Sequence, residues 1–179
     1  MNAIFLDIDG VLNCVPKIYE GKYPYKAPSG VMGIDPSKVK ILKSIINIWN
    51  ADIILSSTWR YHWSKSLITD PDVIYMVDQL KSTDVTIHDK IHDHDDSNRG
   101  YWILDYMSKH PYYEEFLIID DDLFDFEEMN ITEHLLKANA FKGGLLPKHI
   151  KESWKILYKL KRIGERNEQD RYESKTLWY

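Results

Sequence analysis

The chain has 179 residues, of which 44% are apolar and 28% are charged, and its formal net charge is −5. This length suits one domain with a sizeable core, and the composition is typical of a folded protein rather than a disordered one. The negative charge argues against an extended nucleic-acid groove, because such a groove contacts many phosphates through basic residues.

Cysteine content and hydropathy indicate the compartment. Cys14 is the only cysteine, so a disulfide framework within the chain is excluded, and a packed thiol is favoured over a nucleophile. No signal peptide is visible, and no apolar run approaches the ~20 residues that a membrane span needs. We therefore expect a cytoplasmic protein that does not enter a membrane.

Three short apolar runs predict buried strands, and each run leads into polar residues. The runs are Ala3 to Leu6, Ile53 to Leu55 and Phe116 to Ile119, and they are followed by acids, hydroxyls and acids respectively. Apolar residues on both alternating faces are typical of strands covered on both sides, as in a parallel sheet. Residues 85–87 and 134–136 are weaker strand candidates.

Helical spacing of apolar residues fills the stretches between these runs. The predicted helices cover Pro36 to Trp49, Trp63 to Lys81 with an interruption near Pro71, Arg99 to His110, and Pro147 to Ile163. Asp35 is the expected N-cap of the first helix, with a proline following at the first helical position. Strands alternating with helices predict a doubly wound, Rossmann-like α/β fold, with a parallel sheet between two helical layers.

Two segments lie outside this pattern. Residues 15–34 are rich in proline, glycine, lysine and tyrosine, and residues 164–179 are highly charged. We expect a single domain over residues 1–163, with 15–34 as a small flap insert, no large cap domain, and 164–179 as a solvated tail. The interleaved lysines and tyrosines of the flap either stack a base and steer a phosphate or merely cover the sheet edge.

The acids after the first run suggest a reactive site. Asp7 and Asp9 are two residues apart, so both side chains address the same face near the end of the strand. Gly10 lets the chain turn away tightly, and we expect it to border a bound substrate. Two acids against a buried strand are costly without compensation, which favours a nucleophile beside a general acid, with a metal nearby. In an open parallel sheet, ligands bind at this carboxyl edge.

The stretch Asp7-Ile8-Asp9-Gly10-Val11-Leu12 resembles the DxDG(V/T) first motif of the haloacid dehalogenase superfamily of phosphotransferases. Three later stretches resemble its other motifs in the correct order. They are residues 53–56, which form an apolar strand ending in Ser56, then the basic residue Arg99, and then the acidic residues Asp120 and Asp121, with Asp125 shortly after.

A narrower resemblance is carried by four short stretches. "LSSTWR" at 55–60, "RG" at 99–100, "IDDD" at 119–122 and "FKGGL" at 141–145 are similar to the phosphatase domains of RNA-repair proteins. Those domains resemble the 3′-phosphatase half of polynucleotide kinase-phosphatases. This chain departs from that group in two ways, because it has no kinase P-loop and because Tyr101 and Trp102 stand where an acid is often found.

The superfamily resemblance implies a magnesium-dependent phosphomonoester hydrolase with an aspartyl-phosphate intermediate. Asp7 would attack phosphorus, and Asp9 would protonate the leaving oxygen and later accept a proton from water. The acids and a phosphate ester together carry more negative charge than one arginine offsets, so a Mg²⁺ ion is expected. Its ligands would be Asp7, the backbone carbonyl of Asp9, and Asp120 or Asp121, with Asp125 as a weaker outer candidate.

Other residues are expected around the phosphate. Ser56 would hold phosphate oxygens, with Ser57 as the alternative, although either hydroxyl also suits a simple helix cap. Arg99 would stabilise charge in the transition state, with Lys90 as the fallback for that role. Arg60 either contacts the substrate phosphate or pairs with an acid on the surface.

Two functions other than hydrolysis also fit parts of the sequence. A signalling receiver also has an acidic pocket, and Lys137 would be its lysine, but the strand ending at Ser56 lacks the acceptor aspartate. The second is a phosphate-binding domain without turnover. For the enzyme, the open site predicts a phosphorylated small molecule or nucleic-acid end as the substrate, and the oligomeric state is left open.

Overall fold

The computed structural model describes residues 1–14, 23–92 and 96–176, with backbone alone for residues 96 and 167–176. Lys17, Tyr19 and Lys22 of the predicted flap lie outside the described residues, and their roles stay predictions. Within the described parts of the chain, no helix is long and apolar enough to cross a membrane.

Five parallel strands form one sheet, in the order β3-β2-β1-β4-β5. The strands are β1 Asn2–Leu6, β2 Ala51–Leu55, β3 Ile87–Lys90, β4 Phe116–Asp120 and β5 Leu135–Lys137. The helices are α1 Pro36–Trp49, α2 Pro71–Lys81, α3 Arg99–Lys109 and α4 Lys148–Thr176.

The central strand β1 packs against helices on both of its faces. Ile4 and Leu6 lie in one apolar cluster with residues of α1, α2 and α4, whereas Ala3 and Phe5 lie in a second cluster with residues of α3. Side chains of a strand alternate between faces, so each face of β1 supplies a separate core. The predicted three-layer, doubly wound α/β fold is therefore confirmed.

Helix α1 has the predicted bounds and the predicted start. The Asp35 carboxylate accepts a hydrogen bond from the Ser37 amide at 2.8 Å, and Pro36 takes the first helical position. The helix ends at Asn50, which adopts the left-handed conformation with φ of 47°. Helix α3 also begins at Arg99 as predicted, and it ends one residue early, at Lys109.

Several other bounds differ from the predictions. The helix predicted over 63–81 begins only at Pro71, because Asp70 caps it and a 3₁₀ helix at Thr58–His62 precedes an irregular stretch. Strands β3 and β5 begin two residues and one residue later than predicted. Helix α4 continues past Ile163 to Thr176 rather than giving way to a tail, since Glu, Lys, Arg and Gln are good helix formers.

The loop after β5 packs against the turn after β1. The Leu145 amide donates to the Val11 carbonyl at 2.9 Å, and Lys38 Nζ on α1 donates to the Gly143 carbonyl at 2.7 Å. Gly144 has φ of +61°, and a Cβ at this position would lie 2.5 Å from the Val11 carbonyl oxygen. Only glycine fits there, so this loop and the turn after β1 support each other.

Gly144→Ala is therefore expected to lower the free energy of unfolding by about 2–3 kcal/mol, from left-handed strain and the clash with Val11. The matched control is Gly164→Ala in α4, where a Cβ meets nothing within 4 Å and helix propensity predicts a gain of up to about 1 kcal/mol. Denaturant unfolding of both variants measures the difference. Equal stability of the two variants would contradict the close packing of the loop.

Candidate active site

The strand register brings three predicted site residues side by side. Leu6 of β1 pairs with Leu55 of β2 and with Ile119 of β4, so the next residue of each strand emerges at the same edge. These residues are Asp7, Ser56 and Asp120. The Asp7 amide donates to the Ile119 carbonyl at 2.9 Å, and the Ser56 amide donates to the Leu6 carbonyl at 3.0 Å.

Arg99 joins the acids of two adjacent strands. Its Nη1 donates to Asp7 Oδ1 at 3.0 Å and to Asp120 Oδ2 at 2.6 Å. All three side chains are buried, and the guanidinium also stacks over the Phe124 ring at 4.0 Å. Arg99 therefore occupies the position that the sequence predicted for the basic residue of the site.

The N-terminus of α3, which carries Arg99, is capped from another part of the chain. The Asp125 carboxylate accepts hydrogen bonds from the amides of Gly100 at 2.6 Å and Tyr101 at 3.0 Å. Asn98, which takes the N-cap position, makes no side-chain cap hydrogen bond. Asp125, expected at the edge of the metal site, instead fixes the start of the helix that positions Arg99.

Three carboxyl groups meet beside this guanidinium. Asp7, Asp120 and Asp121 each offer an oxygen, and these oxygens lie within 4.8 Å of one another. Burial and the neighbouring Asp120 charge raise the pKa of Asp7 well above its ordinary value, and Arg99 opposes the rise only in part. Burial likewise raises the pKa of Asp120 and of Asp121. One arginine does not compensate three acids, so the set fits a divalent cation that takes oxygen ligands.

Gly10 makes room for one of these acids. It has φ of +77°, which favours glycine, and a Cβ built on it would overlap the Asp121 carboxylate. Gly10 thus allows the chain to turn, as predicted, and it also allows the Asp121 carboxylate to approach closely. Its contact with substrate stays a prediction.

Asp9 is exposed, and both of its carboxylate oxygens accept hydrogen bonds. Asn13 Nδ2 donates to Oδ1 at 2.7 Å, and Trp59 Nε1 donates to Oδ2 at 3.0 Å. Asn13 is fully buried; its Oδ1 accepts from the Gly10 amide at 3.0 Å and its Nδ2 also donates to the Met32 carbonyl at 3.3 Å. These bonds fix the direction in which the Asp9 carboxylate points.

Sequence reasoning missed both Asn13 and Trp59. The only sequence signal for Asn13 was its position four residues after Asp9, across a glycine turn, where a side-chain amide readily bonds back to the preceding segment. For Trp59 no local signal exists, because its contact with Asp9 depends on how the 3₁₀ helix after β2 lies beside the turn after β1.

Ser56 and Ser57 both lie at the end of β2. Each is fully buried, and neither Oγ has a hydrogen-bond partner among the described residues. Neither side chain makes the helix-cap bond weighed as the simpler explanation, since Ser57 precedes the 3₁₀ helix without a side-chain cap bond. A buried hydroxyl without a partner calls for an explanation, and a bound phosphate oxygen would supply one.

Arg60 and Lys90 take positions that the sequence did not predict. Arg60 is 1% exposed, its Nη1 donates to the Ser56 carbonyl at 3.0 Å, and its guanidinium lies against the Tyr61 ring. It supports the strand end from inside and is not on the surface. Lys90 Nζ donates to the carbonyls of Arg60 and Trp63, both at 2.7 Å, so Arg99 rather than Lys90 bridges the acids.

A family model described as "HAD domain in Swiss Army Knife RNA repair proteins" matches residues 3–150. The chain belongs to this family. The match includes all the strands, the acids of the site and Arg99, and it confirms the resemblance drawn from the sequence motifs. No curated protein and no solved structure matches the chain.

Membership in the HAD family places the site in a superfamily of phosphatases and related hydrolases. The HAD domain brings together Asp7, Ser56, Arg99, Asp120 and Asp121 at one edge of its sheet. Such a group of acids, a buried guanidinium and free hydroxyls can bind both a hard cation and an oxyanion.

Mg²⁺ is expected to raise the melting temperature of the HAD domain, because the cation relieves repulsion among the three carboxyl groups. A concentration of ten times Kd would add about 1.4 kcal/mol of stability. Asp121→Asn should remove most of this gain, whereas Asp122→Asn, the exposed neighbouring acid, should keep it. Thermal unfolding with and without Mg²⁺ is the measurement. Equal gains in both variants would place the ion elsewhere.

Proposed function

We propose that the HAD domain is a Mg²⁺-dependent phosphomonoester hydrolase that forms an aspartyl-phosphate on Asp7. The observation that carries the proposal is the placement of Asp7. It is buried at the end of the central strand, it is bonded to Arg99, and it lies beside Asp120 and Asp121. A carboxylate in that position is oriented and removed from water, which suits a nucleophile. A bound cation and the guanidinium would attract the anionic phosphate ester toward it.

The reaction has two steps. In the first step an Asp7 oxygen attacks phosphorus, the bond from phosphorus to the ester oxygen breaks, and Asp9 gives its proton to that oxygen. In the second step Asp9 takes a proton from water, the water oxygen attacks phosphorus, and the bond to Asp7 breaks. Phosphate leaves and both acids return to their starting state.

Asp7, Asp120 and Asp121 would hold the Mg²⁺ ion, together with the Asp9 carbonyl. When bound there, the ion offsets negative charge on the phosphoryl oxygens. Asp120 is well placed for this because Arg99 and the Asp122 amide, which donates to its Oδ1 at 2.9 Å, fix both of its oxygens. The Asp120 carboxylate is thus held in place before a substrate arrives.

Ser56 or Ser57 would donate a hydrogen bond to a phosphoryl oxygen, because both hydroxyls are buried and without a partner in the described part of the chain. Arg99 would stabilise charge that develops on the phosphoryl group. Asn13 and Trp59 would act as positioning residues, since their bonds to Asp9 aim its carboxyl group. Arg60 would support Ser56 through its carbonyl rather than touch the substrate.

The substrate would be a phosphorylated small molecule or a nucleic-acid end. The description of the family, which names RNA-repair proteins, supports the second class. The insert between β1 and α1 is too short for a large cap domain, so a bulky substrate has access. An end-binding site needs few phosphate contacts, which suits a net charge of −5.

The HAD domain is expected to release phosphate from p-nitrophenyl phosphate when Mg²⁺ is present. Asp7→Asn keeps the shape of the side chain but removes the nucleophile, so kcat should fall by at least about 1,000-fold. Asp122→Asn is the matched control and should retain wild-type kcat. Steady-state release of p-nitrophenol measures both. Wild-type activity in Asp7→Asn would end the assignment.

Asp9→Asn is expected to separate the two steps. p-Nitrophenolate leaves without needing a proton, so the first step should proceed and release one equivalent of p-nitrophenol as a burst. Hydrolysis of the aspartyl-phosphate should slow by about 100-fold, since no base activates water. Rapid-quench kinetics would detect the burst. Slow turnover without a burst would contradict this separation, because formation of the aspartyl-phosphate would then limit the rate.

A further inference from the structure

A cavity of about 340 Å³ lies beside Asp9, on the side of the Trp59 ring. Its walls come from three elements: the 3₁₀ helix at Thr58–His62, the N-terminus of α2, and the described end of the flap at Val31 and Met32. The volume falls within the range of small-ligand clefts, roughly 300–1,000 Å³. The carboxyl cluster of Asp7, Asp120 and Asp121 does not line it.

The position of Asp9 gives this cavity a role in the reaction. A general acid must lie within about 3 Å of the oxygen that it protonates, and that oxygen belongs to the leaving alcohol. Asp9 lines the cavity, and its carboxylate is aimed by Asn13 and Trp59. The alcohol bonded to that oxygen therefore projects toward the cavity, away from the cluster of Asp7, Asp120 and Asp121.

The residues that line the cavity favour a ligand that contains a ring. The Trp59 indole is fixed in place by its N–H bond to Asp9, so the aromatic face is ordered before a ligand binds. Val31, Met32 and Val73 add apolar surface, and Thr58 and His62 add polar groups. A fixed indole beside apolar side chains suits a flat or ring-shaped ligand that stacks.

The far wall selects against negative charge. Asp70 caps α2 by accepting from the amides of Asp72 and Val73 at 2.9 and 3.1 Å, and Asp72 accepts from Ser29 N at 2.9 Å and Oγ at 2.5 Å. Both acids line the cavity together with Asp9. A second phosphate on the ligand would share the cavity with three carboxylates, and this like charge is unfavourable.

We propose that this cavity binds the leaving alcohol of the substrate, and that the alcohol is an uncharged, ring-bearing one of nucleoside size. The inference rests on the proposed phosphatase function and narrows its substrate class. Of the two proposed substrate classes it selects the phosphorylated small molecule, a nucleoside monophosphate, because a nucleic-acid end carries a further phosphate on the same nucleoside. Trp59 stacks on the ring, and Asp70 and Asp72 reject additional phosphates.

Turnover kinetics with Mg²⁺ test the selectivity. Adenosine 3′- and 5′-monophosphates should give kcat/KM at least tenfold above adenosine 3′,5′-bisphosphate. Replacing both far-wall acids, Asp70→Asn with Asp72→Asn, should reduce that preference at least fivefold, because asparagine keeps the cap while losing the charge. Asp78→Asn, an exposed acid of the same helix outside the cavity, should leave the preference as it is. An unchanged preference in the double variant would overturn the proposal.

Filling the cavity provides the second test. Val31 is 52% exposed, so Val31→Trp introduces bulk without disturbing the core. It should lower kcat/KM for adenosine monophosphates at least tenfold relative to acetyl phosphate, which lacks a bulky leaving group. Calorimetric titration with adenosine alone should show binding to the wild type that weakens at least tenfold in Val31→Trp.

The outcomes separate the two proposals. If acetyl phosphate is turned over but Val31→Trp affects all substrates equally, or adenosine does not bind, the cavity assignment is wrong and the phosphatase stands. If no substrate is turned over, acetyl phosphate included, the phosphatase function fails and the leaving-group role fails with it. Turnover together with selective loss in Val31→Trp supports both.

Discussion

The bridge from Arg99 to Asp7 and Asp120 is the contact on which the rest of the site depends. It takes two acids from adjacent strands out of water and compensates them with one buried guanidinium. Removal of one partner from such a buried group typically costs about 3–5 kcal/mol, because the remaining charges are left without compensation. The bridge also leaves an excess of negative charge with Asp121 nearby, and this excess is what makes the edge of the sheet attractive to a cation.

The residues around the bridge act mainly by fixing its geometry. Asp125 anchors the start of α3, and so fixes the origin of Arg99. Arg60 donates to the Ser56 carbonyl at the end of β2, and Gly144 packs against the turn that follows Asp7 and Asp9. The site residues therefore lie at three strand ends, in the turn directly after β1 and at a helix start. Rigid support of this kind is what a site needs if orientation is to lower the barrier.

The sequence predicted those parts of the site that depend on local residue patterns. An apolar run followed by polar residues identifies a strand end, so the acids after β1, the serines after β2 and the acids at the end of β4 were predicted from pattern and order alone, without a choice between Ser56 and Ser57 or between Asp120 and Asp121. Arg99 needed the family resemblance. The contacts of Asn13, Trp59 and Arg60 were not predictable, because each depends on how a turn or a 3₁₀ helix lies against another strand end. Helical spacing alone also predicted too early a start for α2. The helix begins only at Pro71, because Asp70 caps it and proline takes the first helical position.

The central strand is also the first strand of the chain, and this order affects biosynthesis. Strands are synthesised in chain order, so β1, β2 and β3 are complete before β4, which begins at Phe116. Until β4 is made, the edge of β1 that pairs with it has no neighbouring strand, and Arg99 has no Asp120 to bridge to Asp7. Parallel pairing over such a separation is slow to form, and an open apolar edge invites association with other chains. A chain that ends before β4 is thus expected to expose this apolar edge.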